Sequence, residues 1–485
     1  MIVDLPRGWD HSQSYPPSST AEWLPSDSVA SGMRFASGQV FLGQVGQTPI
    51  GIRDDRHAMT IAGSRAGKGV SALIPNLLLY PGSMFVIDPK GELATITAGR
   101  RGAGAQGCKG MGQDVHVLDP FRVTRNSAPQ YLAGYNPLDR IDPDDDMAVD
   151  EADLIAESLI YGSSKDRDLH WTLAARNLIK GLILYICQTE ENPERRNLIE
   201  VRRLLNSDEL QTVIRTMEKM GGDGPVTDAM AQEAIPLLDM GDNERGSVLS
   251  TARTQTKFLS SPPMRSVLER SNFSFGALKE HPTTIYLCLP AMRMGTHNRW
   301  LRLLVNAALS SMERERCRPP HGDIIFLLDE FPVLGRMESI QAAIGQIAGF
   351  GVKLWTVIQD ISQIKEHYPE SWESYIGNSC FVQCFGNTDL ATTDYISQQL
   401  GQITTESASI SDQTMAQRMR GQSGVTISRQ TSPLLRPDEV ARFFARQHQN
   451  QLLMLAGRNP IQIERVNYFA DKRFLGLFEA DPAYG

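Results

Sequence analysis

The segment Ile61-Ala-Gly-Ser-Arg-Ala-Gly-Lys-Gly-Val-Ser71 constrains the fold more than any other stretch of the chain. A short apolar approach ends at Ile61. A small-residue loop with two glycines follows, then Lys68, then an apolar run through Leu73, Leu77 and Leu78. The order is strand, phosphate-cradling loop, helix. Glycine lets successive backbone N–H groups converge on a phosphate with no Cβ in the way. The start of the helix adds partial positive charge, and Lys68 has the reach to contact the β- and γ-phosphates. The segment departs twice from G-x-x-x-x-G-K-[ST]. Ala62 stands at the first glycine, with Gly63 next, and Gly69 stands where a hydroxyl normally serves Mg²⁺. Ser71 lies two positions on, roughly 200° around a helix, and faces elsewhere. The metal would then rely on water, the phosphates and a distant carboxylate. Candidate nucleotide contacts are Gly63, Ser64, Arg65, Ala66, Gly67, Lys68, Gly69 and Val70. Taken alone, the segment also suits an ordinary glycine-rich turn with a surface lysine.

A second motif narrows the choice. Asp323-Ile-Ile-Phe-Leu-Leu-Asp-Glu330 is an apolar strand ending in two acids, closed by Phe331-Pro332. Such a run suits a central parallel strand covered on both faces. In a doubly wound sheet, ligands bind at the carboxyl ends of the strands. Asp329 is the candidate for Mg²⁺, directly or through water, and Glu330 the candidate general base. A third run, residues 352–358, ends in Gln359-Asp360. Gln359 is placed to sense a γ-phosphate or orient water. Asp360 reads as the cap of the helix that follows.

The remaining elements follow from periodicity. Strands are predicted at 58–61, 83–87 and 114–118, the last two stopped by Asp88-Pro89 and Asp119-Pro120. Asp88 faces either the nucleotide cleft or only its turn. Helical spacing dominates from about 146 to 279, and strand character returns at 284–289. The simplest account is an α/β domain with an all-helical insert, strands on both sides rejoining one sheet. The expected division is an irregular N-terminal arm (1–34) anchored by Trp9 and Trp23, a discontinuous nucleotide-binding domain (35–145 and 284–485), and the insert (146–283).

Composition excludes several classes. At 485 residues, 41% hydrophobic and 21% charged, the chain is long enough for two domains and a large core. A net charge of −8 does not describe a bulk nucleic-acid coat, though a local basic channel in an oligomer is compatible with it. The six cysteines lack metal-ligand spacing, and Cys380 and Cys384 sit in a run that reads as a buried strand. No run approaches the roughly 20 apolar residues of a membrane span.

The motifs together resemble the type IV secretion coupling proteins. The resemblance rests on Gly67-Lys-Gly-Val-Ser71 with Ile74-Pro-Asn-Leu-Leu78, Asp88-Pro-Lys-Gly-Glu92, Tyr135-Asn-Pro-Leu138 and the run 170–178. It continues through Leu328-Asp-Glu-Phe-Pro-Val-Leu-Gly335, Gln359-Asp-Ile-Ser-Gln363, Phe385-Gly-Asn-Thr-Asp389, Leu435-Arg-Pro-Asp-Glu439 and Gly457-Arg-Asn-Pro-Ile461. It implies a RecA-like P-loop domain carrying an inserted all-α domain implicated in substrate choice. It also implies an ATPase using ATP and Mg²⁺, working as a homo-hexamer at the cytoplasmic face of a bacterial inner-membrane channel. Channel proteins and a relaxase–DNA complex or protein effectors would be its partners, with single-stranded DNA among the ligands. Gly69 and Pro75 then become traits of the family, although Pro75 is still expected to kink its helix. Family members usually begin with two membrane-spanning helices. Their absence here suggests a soluble branch that docks through a channel partner, or removal of the anchor. Arg336, Arg429 and Arg436 are candidates for the cation a neighbouring subunit would supply. Three functions remain open: a DNA-transfer motor, a receptor for protein effectors, and a nucleotide-gated scaffold with little turnover.

Overall fold

The computed structural model describes residues 21–124, 127–162, 169–314, 317–410 and 425–480. In chain order the strands are β1 (Val40–Val45), β2 (Thr48–Ile52), β3 (His57–Ala62), β4 (Met84–Asp88), β5 (Gly104–Ala105), β6 (Cys108–Lys109), β7 (Asp114–Leu118) and β8 (Thr283–Cys288). They continue as β9 (Ile324–Leu328), β10 (Val352–Ile358), β11 (Ser379–Phe385), β12 (Gln402–Ile410), β13 (Val425–Pro433), β14 (Asn450–Leu455) and β15 (Ile461–Glu464). Eleven form one sheet in the order β2-β1-β15-β14-β11-β3-β10-β9-β4-β8-β7. The seven strands from β11 to β7 are mutually parallel. The other four are antiparallel additions at one edge.

The parallel strands read as continuous apolar runs because both faces are covered. Phe85, Ile87, Ile285, Leu287, Phe326 and Leu328 enter one core. Met84, Val86, Tyr286, Cys288, Ile325 and Leu327 enter the other. The first core is shared with helix Ala291–Arg314 and with the helical segment between β7 and β8. The second packs under residues 69–79 and helix Glu92–Arg101.

Among the described residues, no strand lies between β7 and β8: apart from a single parallel bridge from Leu132 to Val117, the segment is helices and turns. The two longest are Leu169–Thr189 and Pro225–Asp239, and the glycine cluster before Pro225 separates the latter from Leu210–Lys219. β8 then returns to lie between β4 and β7, so the chain leaves and re-enters the same sheet.

One expectation needs correction. The N-terminal arm is not irregular throughout: Ser26–Gly32 is an α-helix. Val29 and Met33, one turn apart, are buried against the edge strands, which supplies the tertiary packing that a short helix requires. Trp23 packs on Phe443 and Phe444 at centroid distances of 6.5 and 6.3 Å, while Trp9 lies outside the described residues. Pro75 does lie inside a helix: the π-turn Gly69–Leu73 runs without a break into the α-helix Ile74–Leu79, so the irregularity expected at the proline takes the form of the π-turn just before it.

Candidate functional site

The carboxyl ends of β3, β10 and β9 lie side by side, so the loops that follow them meet. Residues 63–68 leave β3 and wrap tightly. The Ala66 N–H donates to the Gly63 carbonyl at 3.1 Å. Arg65 and Gly67 adopt positive φ, 57° and 93°. Gly63 has no room for a side chain, since a Cβ there would lie 2.0 Å from the Gly386 carbonyl oxygen. Ser64 and Arg65 are exposed, Ala66 is buried, and Gly67, Lys68, Gly69 and Val70 are half-buried. The Ser71 hydroxyl donates to the Gly67 carbonyl at 2.9 Å, which turns it away from the loop mouth and into the helix.

Lys68 is the hub. Its Nζ lies 2.8 Å from Asp329 Oδ1 and 2.6 Å from Glu330 Oε1. Burial opposes its charge, but the two carboxylates outweigh burial and hold its pKa above the ordinary lysine value. Burial pushes the Asp329 carboxyl up, against the pull of Lys68. Glu330 opens the turn Phe331–Leu334 with φ 54° and ψ 45°. Left-handed backbone at a residue with a side chain costs on the order of 1 kcal/mol and collects at functional sites. Here it follows directly on β9 and leaves both acids on the loop mouth. Gln359 Nε2 donates to both Glu330 oxygens, at 3.1 and 3.0 Å. All four chemistry-bearing residues expected from sequence therefore share one cleft. Asp360 accepts from the Gln363 N–H and starts helix Ile361–His367, as a cap.

Three neighbours join them: Asp88, which the sequence left between the cleft and its turn, and Asn387 and Arg465, which sequence reasoning did not single out. Asn387 follows β11, donates to the Gln359 carbonyl at 3.2 Å, and has a buried Oδ1 with no hydrogen-bond partner. Asp88 ends β4 fully buried and accepts from the Ala94 N–H at 2.8 Å. Burial raises its pKa to about 7, and the charge of Asp329 adds to the effect. Arg465 lies behind the loop, and its Nη1 donates to the Ala66 carbonyl. The strand-end position was the available signal for Asp88 and Asn387. None existed for Arg465, whose proximity depends on an edge strand.

The donor set fits a nucleotide and a divalent cation. The loop provides a tight turn with positive φ at Arg65 and Gly67, the backbone type that builds anion-binding concavities. Two carboxylates share a single ammonium, leaving net negative charge for a cation to neutralise. Gly69 offers no hydroxyl to it. Of the candidate trans-acting arginines, Arg336 gives its carbonyl to Arg302 at 2.8 Å, and Arg436 N–H donates to Glu439 at the start of Pro437–Phe443. The Arg429 side chain lies outside the described residues.

A parallel sheet with a phosphate-type loop on one central strand and an acid pair two strands away defines a RecA-like P-loop α/β protein. More narrowly, the chain belongs to the Type IV secretory system Conjugative DNA transfer family, which matches residues 23–479. It is 29% identical over 406 residues to the conjugal transfer protein TraG of Escherichia coli, covering 80% of this chain and 61% of that one. It is 27% identical over 440 residues to protein VirD4 of Rhizobium radiobacter, covering 87% and 58%. The chain thus spans about three fifths of the length of these curated relatives. The bacterial conjugative coupling protein TrwBdeltaN70 superposes with a TM-score of 0.66 at 16% identity, covering 91% of this chain and 92% of the other. A TrwB structure in complex with ADP and Mg²⁺ superposes at 0.65, also at 16% identity, covering 92% and 94%. Among the described residues, no helix is long and apolar enough to cross a membrane.

Proposed function

We propose that this chain is an ATP-hydrolysing coupling protein that delivers macromolecular cargo to a type IV secretion channel. The observation that carries the reading is Lys68, after β3, bridging Asp329 and Glu330, after β9, across the end of β10. Family membership and the nucleotide and Mg²⁺ of the superposable TrwB complex support it. Residues 63–70 hold the phosphates. Lys68, with three donors, exchanges carboxylate contacts for phosphate contacts. That exchange frees Glu330 to take a proton from water. Gln359, gripping both Glu330 oxygens, fixes the direction of that carboxylate and gives the γ-phosphate region a polar sensor. Mg²⁺ held at Asp329 would offset the charge developing on the transferred phosphate.

In this reading the chain works as a homo-hexamer at the cytoplasmic side of the inner membrane, with a neighbour's arginine completing each site. The helices from 146 to 283 receive a relaxase–DNA complex or protein effectors. ATP turnover, measured with and without single-stranded DNA across protein concentration, tests it beside Lys68→Ala and Glu330→Gln. Stimulation by DNA that vanishes with Lys68→Ala is the expected result. Glu330→Gln is expected to bind ATP and stall, and wild-type turnover in that variant removes Glu330 from the base role. Turnover indifferent to DNA selects the effector-receptor reading. Nucleotide binding without turnover in the assembled wild-type chain selects a nucleotide-gated scaffold, which the missing hydroxyl at Gly69 favours.

A further inference from the structure

The antiparallel edge sends one residue into the back of the phosphate loop. β15 pairs with β14, and just beyond it the Arg465 N–H bonds to the Gln449 carbonyl at 2.7 Å. The Arg465 side chain is 5% exposed. One arm of its fork donates to the Ala66 carbonyl and the other to the Arg446 carbonyl at 2.8 Å, while its plane covers the Phe385 ring at 4.7 Å. Its Nε has no partner, and among the described residues no carboxylate forms an ion pair with it. Three residues on, the Tyr468 N–H reaches the Val70 carbonyl at 3.4 Å, so the same segment touches the loop on both sides of Lys68.

A buried guanidinium without a counter-charge is costly, and both burial and the nearby Arg446 lower its pKa, to about 10. Its hydrogen bonds explain what that cost accomplishes. A peptide unit is planar and trans, so its C=O and N–H point in opposite directions. Holding the Ala66 carbonyl toward Arg465 turns the Gly67 N–H the other way, to the side on which a phosphate would lie. A Cβ on Gly67 would lie 3.6 Å from Arg465 Nη1, so the positive charge sits directly behind that amide.

We infer that Arg465 is a positioning residue for nucleotide binding: it sets the Ala66–Gly67 peptide and supplies, from behind the loop, positive charge that the phosphates of a nucleoside di- or triphosphate neutralise. The inference rests on the loop being the nucleotide site proposed above. Its test compares wild type, Arg465→Met and Arg465→Lys by titration with a fluorescent ADP analogue and by steady-state ATP turnover. Arg465→Met should raise the ADP dissociation constant and the KM for ATP by about tenfold or more and leave kcat at saturation within about threefold. Arg465→Lys keeps the charge but not the fork and should fall between the two. The thermal midpoint without nucleotide should hold or rise in Arg465→Met, because an unpaired buried charge is removed, while the shift produced by added nucleotide shrinks. A merely structural arginine predicts the reverse pattern. Unchanged ADP affinity in Arg465→Met overturns the inference, as does loss of kcat at unchanged KM. If Arg465→Met fails to fold, Arg465→Lys decides, and wild-type affinity there overturns it. A wild-type chain that binds no nucleotide overturns the reading of the loop itself, a separate result.

Discussion

The parallel and antiparallel parts of the sheet divide the labour of the site. Each parallel strand near the cleft ends in a group that faces it: Lys68 by way of the loop after β3, Asp329 and Glu330 after β9, Gln359 after β10 and Asn387 after β11. The antiparallel strands contribute no such group. They carry the support behind the loop and the far end of a buried polar chain that begins on the parallel strands. Trp355 Nε1 donates to Thr60, Thr60 to Gln383, Gln383 to Gln451, and Gln451 to the Leu42 carbonyl, from β10 across β3, β11 and β14 to β1. On the proposed reading, the cluster at the strand ends depends on residues that never meet the nucleotide. Changes in the first group should therefore alter chemistry, and changes in the second stability or affinity.

The sharpest blow to this division is Gly63→Ala. The new Cβ would meet backbone at 2.0 Å, with no flexible side chain to yield. The loop and the Phe385–Gly386 turn must separate, at a cost of about 3 kcal/mol. Nucleotide binding should be lost together with thermal stability, whereas Lys68→Ala should lose binding or turnover with the packing of the loop on Gly386 intact. A Gly63→Ala protein that melts normally and still binds nucleotide would detach the loop from β11.

A pH-dependent effect separates Asp88 from the acids at the mouth. Its folded pKa, about 7, lies above the ordinary carboxyl value of 3.8. Between those values the folded protein holds a proton that the unfolded chain has lost, so this group's contribution to stability declines as pH rises from about 4 to about 7 and is flat above. Asp88→Asn can keep the Ala94 hydrogen bond without the buried charge. Unfolding curves without nucleotide should show the variant gaining about 4 kcal/mol on wild type by pH 8 and close to none at pH 4. A constant difference across pH would mean that Asp88 ionises in the fold as freely as in water.

Legibility in the sequence follows the same boundary. Residues 114–118 and 352–358 are strands to the residue, and β3, β4, β8 and β9 lie within two residues of expectation, because two-sided burial writes an unbroken apolar run. The edge strands carry Gly43, Gln44, Pro49, Gly51 and Gln451, which read as loop until their partners are known. Lys68, Asp329, Glu330 and Gln359 could be named because each follows a strand of recognisable pattern. Arg465 could not, since nothing in 450–465 says that this hairpin ends against residue 66. The helix at Ser26–Gly32 was hidden for the same reason: its apolar contacts are with strands the pattern did not announce.

The mildest test concerns Gln451, which is fully buried between two parts of the sheet. Its Oε1 accepts from Gln383 and its Nε2 donates to the Leu42 carbonyl at 2.6 Å. Alanine here leaves a buried amide N–H and a buried carbonyl without partners. The expected loss is about 1–2 kcal/mol, the desolvation cost of such groups less whatever a water can repair. Because the chain of bonds ends on β1 and not at the cleft, ATP turnover per folded molecule should be unchanged at temperatures where the variant is native. Gln451→Leu is the informative companion. It restores volume but no hydrogen bond, so a loss like that of alanine assigns the cost to polarity, and recovery assigns it to packing. If either variant instead raised the KM for ATP, β14 would be transmitting its position through Arg465 to the phosphate loop, and the two parts of the sheet would be one functional unit.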